Sequence, residues 1–221
     1  MFHWLEQRPF FFTVVLFVFV AFAGLVETLP DFAKASQPTV GTKPYTVLEL
    51  SGRHVYIKDS CNACHSQLIR PFKSETDRYG MYSLSGEFAY DRPFLWGSKR
   101  TGPDLMRIGN YRTTDWHENH MLDPKSVVPG SIMPKYSHMF TNIADIDTAY
   151  GEAYTVKAVF NTPYDQPGMP KLGTYEEAKA AALAQAKLIA ADMKNQAVKD
   201  AVANGQIPEI VAIIAYMNSL K

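Results

Sequence analysis

Hydrophobic positions along the chain fall into two regimes. From Pro9 to Val26 there are 18 residues without a charge, among them Phe10, Phe11, Phe12, Val14, Val15, Leu16, Phe17 and Phe19. In a helix rising about 1.5 Å per residue, this run is about 27 Å long, close to the hydrocarbon thickness of a bilayer. Beyond it the apolar positions are spaced for amphipathic helices. Leu48, Val55 and Tyr56 fall on or near one face of a helix expected over about Thr46 to Lys58. A second is expected near Asp115 to Leu122, with Asp115-x-x-Glu118 as its capping box and Asp123-Pro124 as its stop. From Thr174, the pattern Thr174-x-x-Glu177 opens an Ala- and Lys-rich run that extends to a C-cap at Asn204-Gly205. Its apolar stripe is mostly alanine, which places it on the surface. The last segment has Pro208 near its first turn, then Ile210, Ile213, Ile214, Met217 and Leu220 at helical spacing.

Between these segments the pattern breaks down. Leu29 to Pro44 holds Pro30, Pro38 and Pro44 among small polar residues and reads as an extended tether. The 36 residues between His65 and Gly102 are rich in aromatics (Phe72, Tyr79, Tyr82, Phe88, Tyr90, Phe94, Trp96) and punctuated by Gly80, Gly86, Pro93 and Gly97. Loops and a short hairpin are expected there, with the aromatics either wrapping the core or forming a contact face. The fold class is therefore mainly α: a single N-terminal transmembrane helix followed by a helical domain with long loop insertions. The expected division is an anchor over 1–29, a tether over 30–45 and a domain over 46–221, with insertions at about 73–100 and 141–206. Gly52, inside an expected helix, costs about 1 kcal/mol relative to alanine and calls for a packing reason.

Arg8 flanks the apolar run on one side and Glu27 on the other. The basic flank places the short N-terminus in the cytoplasm and exports the rest. Ala21-Phe22-Ala23 offers the rival reading of a cleavable leader, but the run is longer than the usual leader core, so a retained anchor in membrane lipid is expected. Charge narrows the partners: 22 basic and 22 acidic residues sum to zero, without the basic excess that nucleic acid demands.

The strongest chemical signal is Cys61-Asn62-Ala63-Cys64-His65. C-x-x-C-H is the attachment signature of a c-type haem: two thiols add to the vinyl groups, and the adjacent histidine becomes an axial iron ligand. About one helical turn separates Cys61 from Cys64, so both sulfurs face the same edge. A redox dithiol or half a zinc site is the bland alternative. The chain has two cysteines in all, both in this motif, and the flanking pattern is not βαβ. Electron carriers usually fill the second axial position too. Of nine methionines, Met133 and Met169 precede proline, which holds a loop extended. Spacing alone does not separate them, and His54, His117, His120 and His138 stand as bis-histidine alternatives. His117 and His120, at i and i+3, also read as half a metal site or a plain helix-surface pair.

The ordered strings C-N-A-C-H-S-Q, R-P-F, Y-D-R-P-F-L-W-G-S-K-R-T-G-P-D-L, W-H-E-N-H-M and V-V-P-G-S-I-M-P-K-Y carry a further reading. Together they resemble the mono-haem cytochrome c subunit (FixO/CcoO) of cbb3-type cytochrome c oxidases. The resemblance runs to about Tyr136 and is less distinctive from Thr141 to Gln206. It implies a cytochrome c-like domain with one covalently attached haem c, at the periplasmic face of a bacterial inner membrane. The partners it implies are a catalytic haem-copper oxidase subunit and a di-haem cytochrome c subunit. The chain itself would be a non-catalytic electron-transfer subunit of a proton-translocating oxidase, passing electrons from the di-haem subunit to the low-spin haem of the catalytic one. A free-standing, membrane-anchored cytochrome shuttle is the alternative. By motif, Cys61, Cys64, His65, Pro103 and Met133 are the haem-binding residues. His65 and Met133 take the iron, and the Pro103 carbonyl accepts a bond from the His65 ring. In such folds the first and last helices cross closely, which places Gly52 against Tyr216 or Met217.

Overall fold

A computed structural model of the chain describes residues 2–33, 37–97 and 99–221. The chain divides into two units, Met1–Gln37 and Pro38–Lys221. The described residues form ten α-helices and no strands, joined by short 3-10 turns.

In the first unit, α1 (Phe2–Glu6) leads into α2 (Pro9–Ala33), whose Pro9–Pro30 stretch is long and apolar enough to cross a membrane. Phe10 and Phe17 are each more than 70 % exposed. Side chains of that size gain no burial within the unit, so lipid or another protein must cover them. Arg8 lies over the Trp4 ring at 4.4 Å, a cation and an aromatic of the kind found at a membrane interface. Helix α2 continues past Leu29 through Pro30 to Ala33, taking the first residues expected in the tether. Residues 34–36 of that tether, and Ser98 of the aromatic stretch, lie outside the described residues.

The second unit is built on the crossing of α3 (Val47–Lys58) with α10 (Glu209–Ser219). Thr46 and Glu49 form a full capping box on α3, a signature that sequence reading passed over. Helix α10 is buried all round: Ile210, Val211, Ile213, Ile214 and Tyr216 are wholly inaccessible. Each such aliphatic side chain contributes about 1.5–3 kcal/mol relative to exposure. A Cβ on Gly52 would collide with the Ala212 carbonyl and stand 2.9 Å from the Tyr216 Cβ. The close approach is thus to Ala212 and Tyr216, the first of the two residues expected there. The Tyr216 ring also meets Tyr45 and Tyr56, each at 5.6 Å between centroids.

The two segments expected as insertions close over this pair. The first contains α4 (Lys73–Tyr79) and a 3-10 turn at Ser85–Phe88, where a hairpin was expected. Arg53 of α3, 1 % exposed, donates to the Arg92 and Pro93 carbonyls and pins that segment to the core. Then come α5 (Thr114–Leu122) and α6 (Pro124–Val127). The cap of α5 is Thr113 and not Asp115; buried Glu118 instead accepts the Lys194 and Asn195 N–H groups, both at 2.7 Å.

Helices α7 (Ile146–Phe160), α8 (Tyr175–Ala191) and α9 (Gln196–Ala203) lie in the second of these segments. The Ala/Lys-rich run is two helices and not one, because α8 stops at Asp192 and Asn195 caps α9 afresh. Its alanine stripe is not a surface feature either. Ala178, Ala182, Ala186 and Ala190, one turn apart, are all buried, and the absence of bulk lets α8 lie close on α3 and α10. Polar bonds tie the layers together. Thr46 Oγ1 donates to Gln185 Oε1 at 2.9 Å, Tyr164 OH donates to the Tyr45 carbonyl at 2.7 Å, and His54 pairs with Glu152.

Candidate functional site

The C-x-x-C-H run begins where α3 ends. Ser60, in the left-handed region at φ 57°, turns the chain out of the helix into a 3-10 turn over Cys61–Ala63. The Cys61 carbonyl then accepts the N–H groups of both Cys64 (3.2 Å) and His65 (2.9 Å), which brings the two thiols and the imidazole onto one compact turn. Both cysteines are free thiols; Cys61 is buried and Cys64 exposed. Burial, with Asp59 beside it, pushes the Cys61 thiol up to about 12. A thioredoxin-like dithiol sits in a βαβ context, and the described residues form no strands. Zinc would need further ligands, and among the described residues no group of three His, Cys, Asp or Glu side chains is placed to hold a metal.

His65 is fixed from the other side by the Gly102–Asp104 turn. Its Nδ1 donates to the Pro103 carbonyl at 2.8 Å, a bond that commits the tautomer and leaves Nε2 as the free lone pair. Burial also lowers the pKa of the ring, which keeps it neutral and available as a ligand. Gly102 allows the arrangement: a Cβ there would run into the ring itself. Asp104, fully buried, accepts from Ser66 Oγ (2.7 Å), Leu68 N–H (2.8 Å) and Met106 N–H (2.9 Å), so the turn is rigid. The chemistry of this set (two thiols, a neutral imidazole oriented by a carbonyl, and a glycine clearing its face) fits covalent haem attachment with a histidine ligand.

Met133 lies in the loop after α6, half-buried and packed on the core, with its N–H donating to Ser131 Oγ at 3.2 Å. The far end of the loop is tied back to α5 and to the residue that follows it: Tyr136 N–H donates to the Met121 carbonyl at 2.9 Å, and Lys135 pairs with Asp123 at 2.7 Å. Met169 belongs to the α7–α8 loop, which folds on itself around Asp165. Among the described residues no hydrogen bond, ion pair or ring contact joins that loop to 61–65 or 102–104.

The histidines sort themselves. His54 is paired with Glu152, and His138 with Asp59 at 2.9 Å. His117 is buried and His120 half-buried, with the His120 ring stacked on Trp116 at 4.5 Å. Arg112 covers Trp116 at 4.4 Å. Both histidines are held down at about 4, chiefly by burial; for His120 the neighbouring His65 is the next cause, which puts α5 beside the turn that bears His65. His117 Nε2 and His120 Nδ1 are buried without a hydrogen-bond partner. Sequence reading found His65 and the Gly102–Leu105 string but not the buried Ser66–Asp104 pair behind them, whose only signal was an aspartate after Gly-Pro.

A helical domain, a membrane-length apolar helix and a C-x-x-C-H turn with a carbonyl-oriented histidine define a class: a c-type haem protein on an apolar N-terminal helix. The chain belongs to the FixO family, the mono-haem subunit of cytochrome c oxidase, whose sequence profile matches residues 2–221. That match takes in 141–206, where the resemblance in individual strings is weak. No curated protein matches the chain. That family is the haem-containing cytochrome c subunit of cbb3-type oxidases, complexes of electron transport.

Proposed function

We propose that this chain relays electrons through one haem c, bound by Cys61 and Cys64 with His65 and Met133 as axial ligands. The electrons would pass from a di-haem cytochrome c subunit to the low-spin haem of the catalytic haem-copper subunit. The observation that carries this is the His65 Nδ1–Pro103 bond at 2.8 Å, which leaves the second ring nitrogen free to serve as a ligand in a chain of this family. When bound, the group supplies a one-electron ferrous/ferric couple. The residues around it set its terms. The Pro103 carbonyl makes the His65 ring a stronger donor, and a thioether from Met133 would raise the potential. With His65 and Met133 both given to the iron, oxygen reduction would belong to the catalytic partner.

The surface supports docking. Cys64 and Ile132 are exposed, so the attachment turn and the methionine loop both reach solvent. Phe94 and Trp96 stack at 4.5 Å, and both are more than a third exposed, as is Phe72. Exposed aromatics of this kind are enriched where proteins meet. The basic flank at Arg8 supports an orientation with α1 in the cytoplasm and the haem domain in the periplasm.

Mild solubilisation of membranes followed by affinity purification of this chain tests the reading. The expected product shows a c-type pyridine haemochrome and carries a large haem-copper subunit with a di-haem cytochrome. Purification as a lone cytochrome would support the free shuttle instead, and the absence of a c-type signal would contradict haem attachment altogether.

A further inference from the structure

The segment bearing His65 and the turn bearing Pro103 are joined by more than their shared hydrogen bond. Gly102 N–H donates to the Cys64 carbonyl and Leu105 N–H to the Ser66 carbonyl, both at 2.9 Å. Asp104 reaches back to Ser66 and Leu68. One side chain binds this assembly from outside. Arg100 Nε donates to Ser66 Oγ at 2.6 Å, and its Nη2 donates to the Leu68 carbonyl at 2.7 Å and to Glu75 Oε2 at 2.8 Å, with Asp104 Oδ2 at 3.4 Å.

Glu75 sits in the first turn of α4 and is 5 % exposed. Its carboxylate also accepts the Arg70 N–H at 2.8 Å and pairs with the Arg70 side chain. Two guanidiniums therefore face two buried carboxylates, Glu75 and Asp104, and the cluster is neutral as a whole. The Glu75 carboxyl is held at about 2, chiefly by the bond from Arg100. Three acceptors in different directions suit a planar guanidinium fork; an ammonium offers the charge without the plane. Ser66 Oγ receives from Arg100 and gives to Asp104, so each bond in the row polarises the next.

We propose that Arg100, held in place by Glu75, is a positioning residue for His65: it clamps the Cys64–Leu68 segment onto the Gly102–Met106 turn and so fixes the Pro103 carbonyl against His65 Nδ1. This rests on the axial role of His65 given above. A short, fixed bond to that carbonyl raises the basicity of the ring and stabilises the ferric state. Slackening the clamp weakens the bond and shifts the couple toward ferrous.

Two charge-conserving variants of the full-length haem-loaded chain test this. Arg100→Lys keeps the cation and removes the fork, and Ser66→Ala removes the hydroxyl that Nε grips. Neither alters net charge, so a change in the couple cannot come from a lost charge. In both, exchange of the His65 ring N–H with deuterated solvent, followed by nitrogen-edited NMR of the ferrous form, should quicken at least tenfold. The ferrous-to-ferric ratio at a fixed applied potential should rise threefold or more, at unchanged haem content. Lys73→Ala, which breaks the exposed Lys73–Asp77 pair on α4, should change neither. Should Arg100→Lys yield no haem-loaded protein, Ser66→Ala decides alone. Exchange and ratio within twofold of the parent, at parental haem content, would overturn the clamp. A parent chain lacking a slowly exchanging ring N–H would instead contradict the axial role of His65.

Discussion

Gly52 of α3 rests directly on the backbone of Ala212 in α10, with no room between them for a methyl group. The two longest-buried helices of the domain meet at this point, and the attachment turn hangs from the end of one of them. Substituting Gly52 by alanine should therefore destabilise the domain by about 1–3 kcal/mol, since a well-packed crossing must open to admit the carbon. Thermal unfolding of the haem-loaded protein should show a midpoint lowered by several degrees. Gly130→Ala, at a glycine with nothing within 4 Å and an ordinary backbone, should leave the midpoint where it was. Equal midpoints for the two variants would contradict the crossing.

What could be read in the chain and what could not divide along physical lines. Helices α3 and α10 announce themselves by apolar spacing, and α2 by length, because burial or lipid writes directly into side-chain type. Cys61, Cys64 and His65 stand out in the sequence because covalent attachment of a haem would need their fixed spacing. Helix α7 was not, since a run such as Ala149-Tyr150-Gly151-Glu152-Ala153 carries little amphipathic signal; it is held by packing on α3. The alanine face of α8 looked like surface because hydropathy does not register close approach. Glu118 looked like a capping residue because sequence spacing cannot show that its carboxylate reaches Lys194 and Asn195, about 76 positions on. The Arg100–Glu75 clamp was invisible for the same reason: its members come from three separate segments.

Acid sensitivity follows from Glu75. Its carboxyl sits at about 2, below the ordinary 4.5, because Arg100 and Arg70 bond to the charged form. A carboxyl depressed in the folded state stabilises it fully above the ordinary value, and the contribution fades as pH falls from 4.5 through about 2. Unfolding of the parent should thus become easier over that window. Glu75→Gln should be less stable than the parent at neutral pH, and the difference between them should shrink toward pH 2. A gap that stays constant from pH 7 to pH 2 would show that the charge of Glu75 contributes nothing.

The exposed phenylalanines of α2 make a prediction about the membrane. The native chain should stay with the membrane pellet after alkaline carbonate extraction, and its mature N-terminus should precede Gly24. Replacing Phe17 and Phe19 with arginine should release the chain or prevent insertion, since each charge near the centre of a spanning helix costs about 2.5–3.5 kcal/mol on insertion scales. A mature N-terminus at or after Gly24 would mean that the helix is a cleaved leader.

Sulfur bound to ferric haem iron gives a weak absorbance band at the red end of the spectrum, and that band reports whether a haem is held between His65 and Met133. Met133→His should keep a low-spin haem at a lower potential, because imidazole donates more strongly than a thioether. For one electron, each tenfold change in the equilibrium corresponds to about 59 mV. Met133→Ala should lose the band and bind carbon monoxide in the ferrous form, while Met169→Ala keeps the band and excludes the gas. The band should therefore be present in the parent and in Met169→Ala and absent in Met133→Ala; its survival in Met133→Ala with loss in Met169→Ala would contradict the assignment.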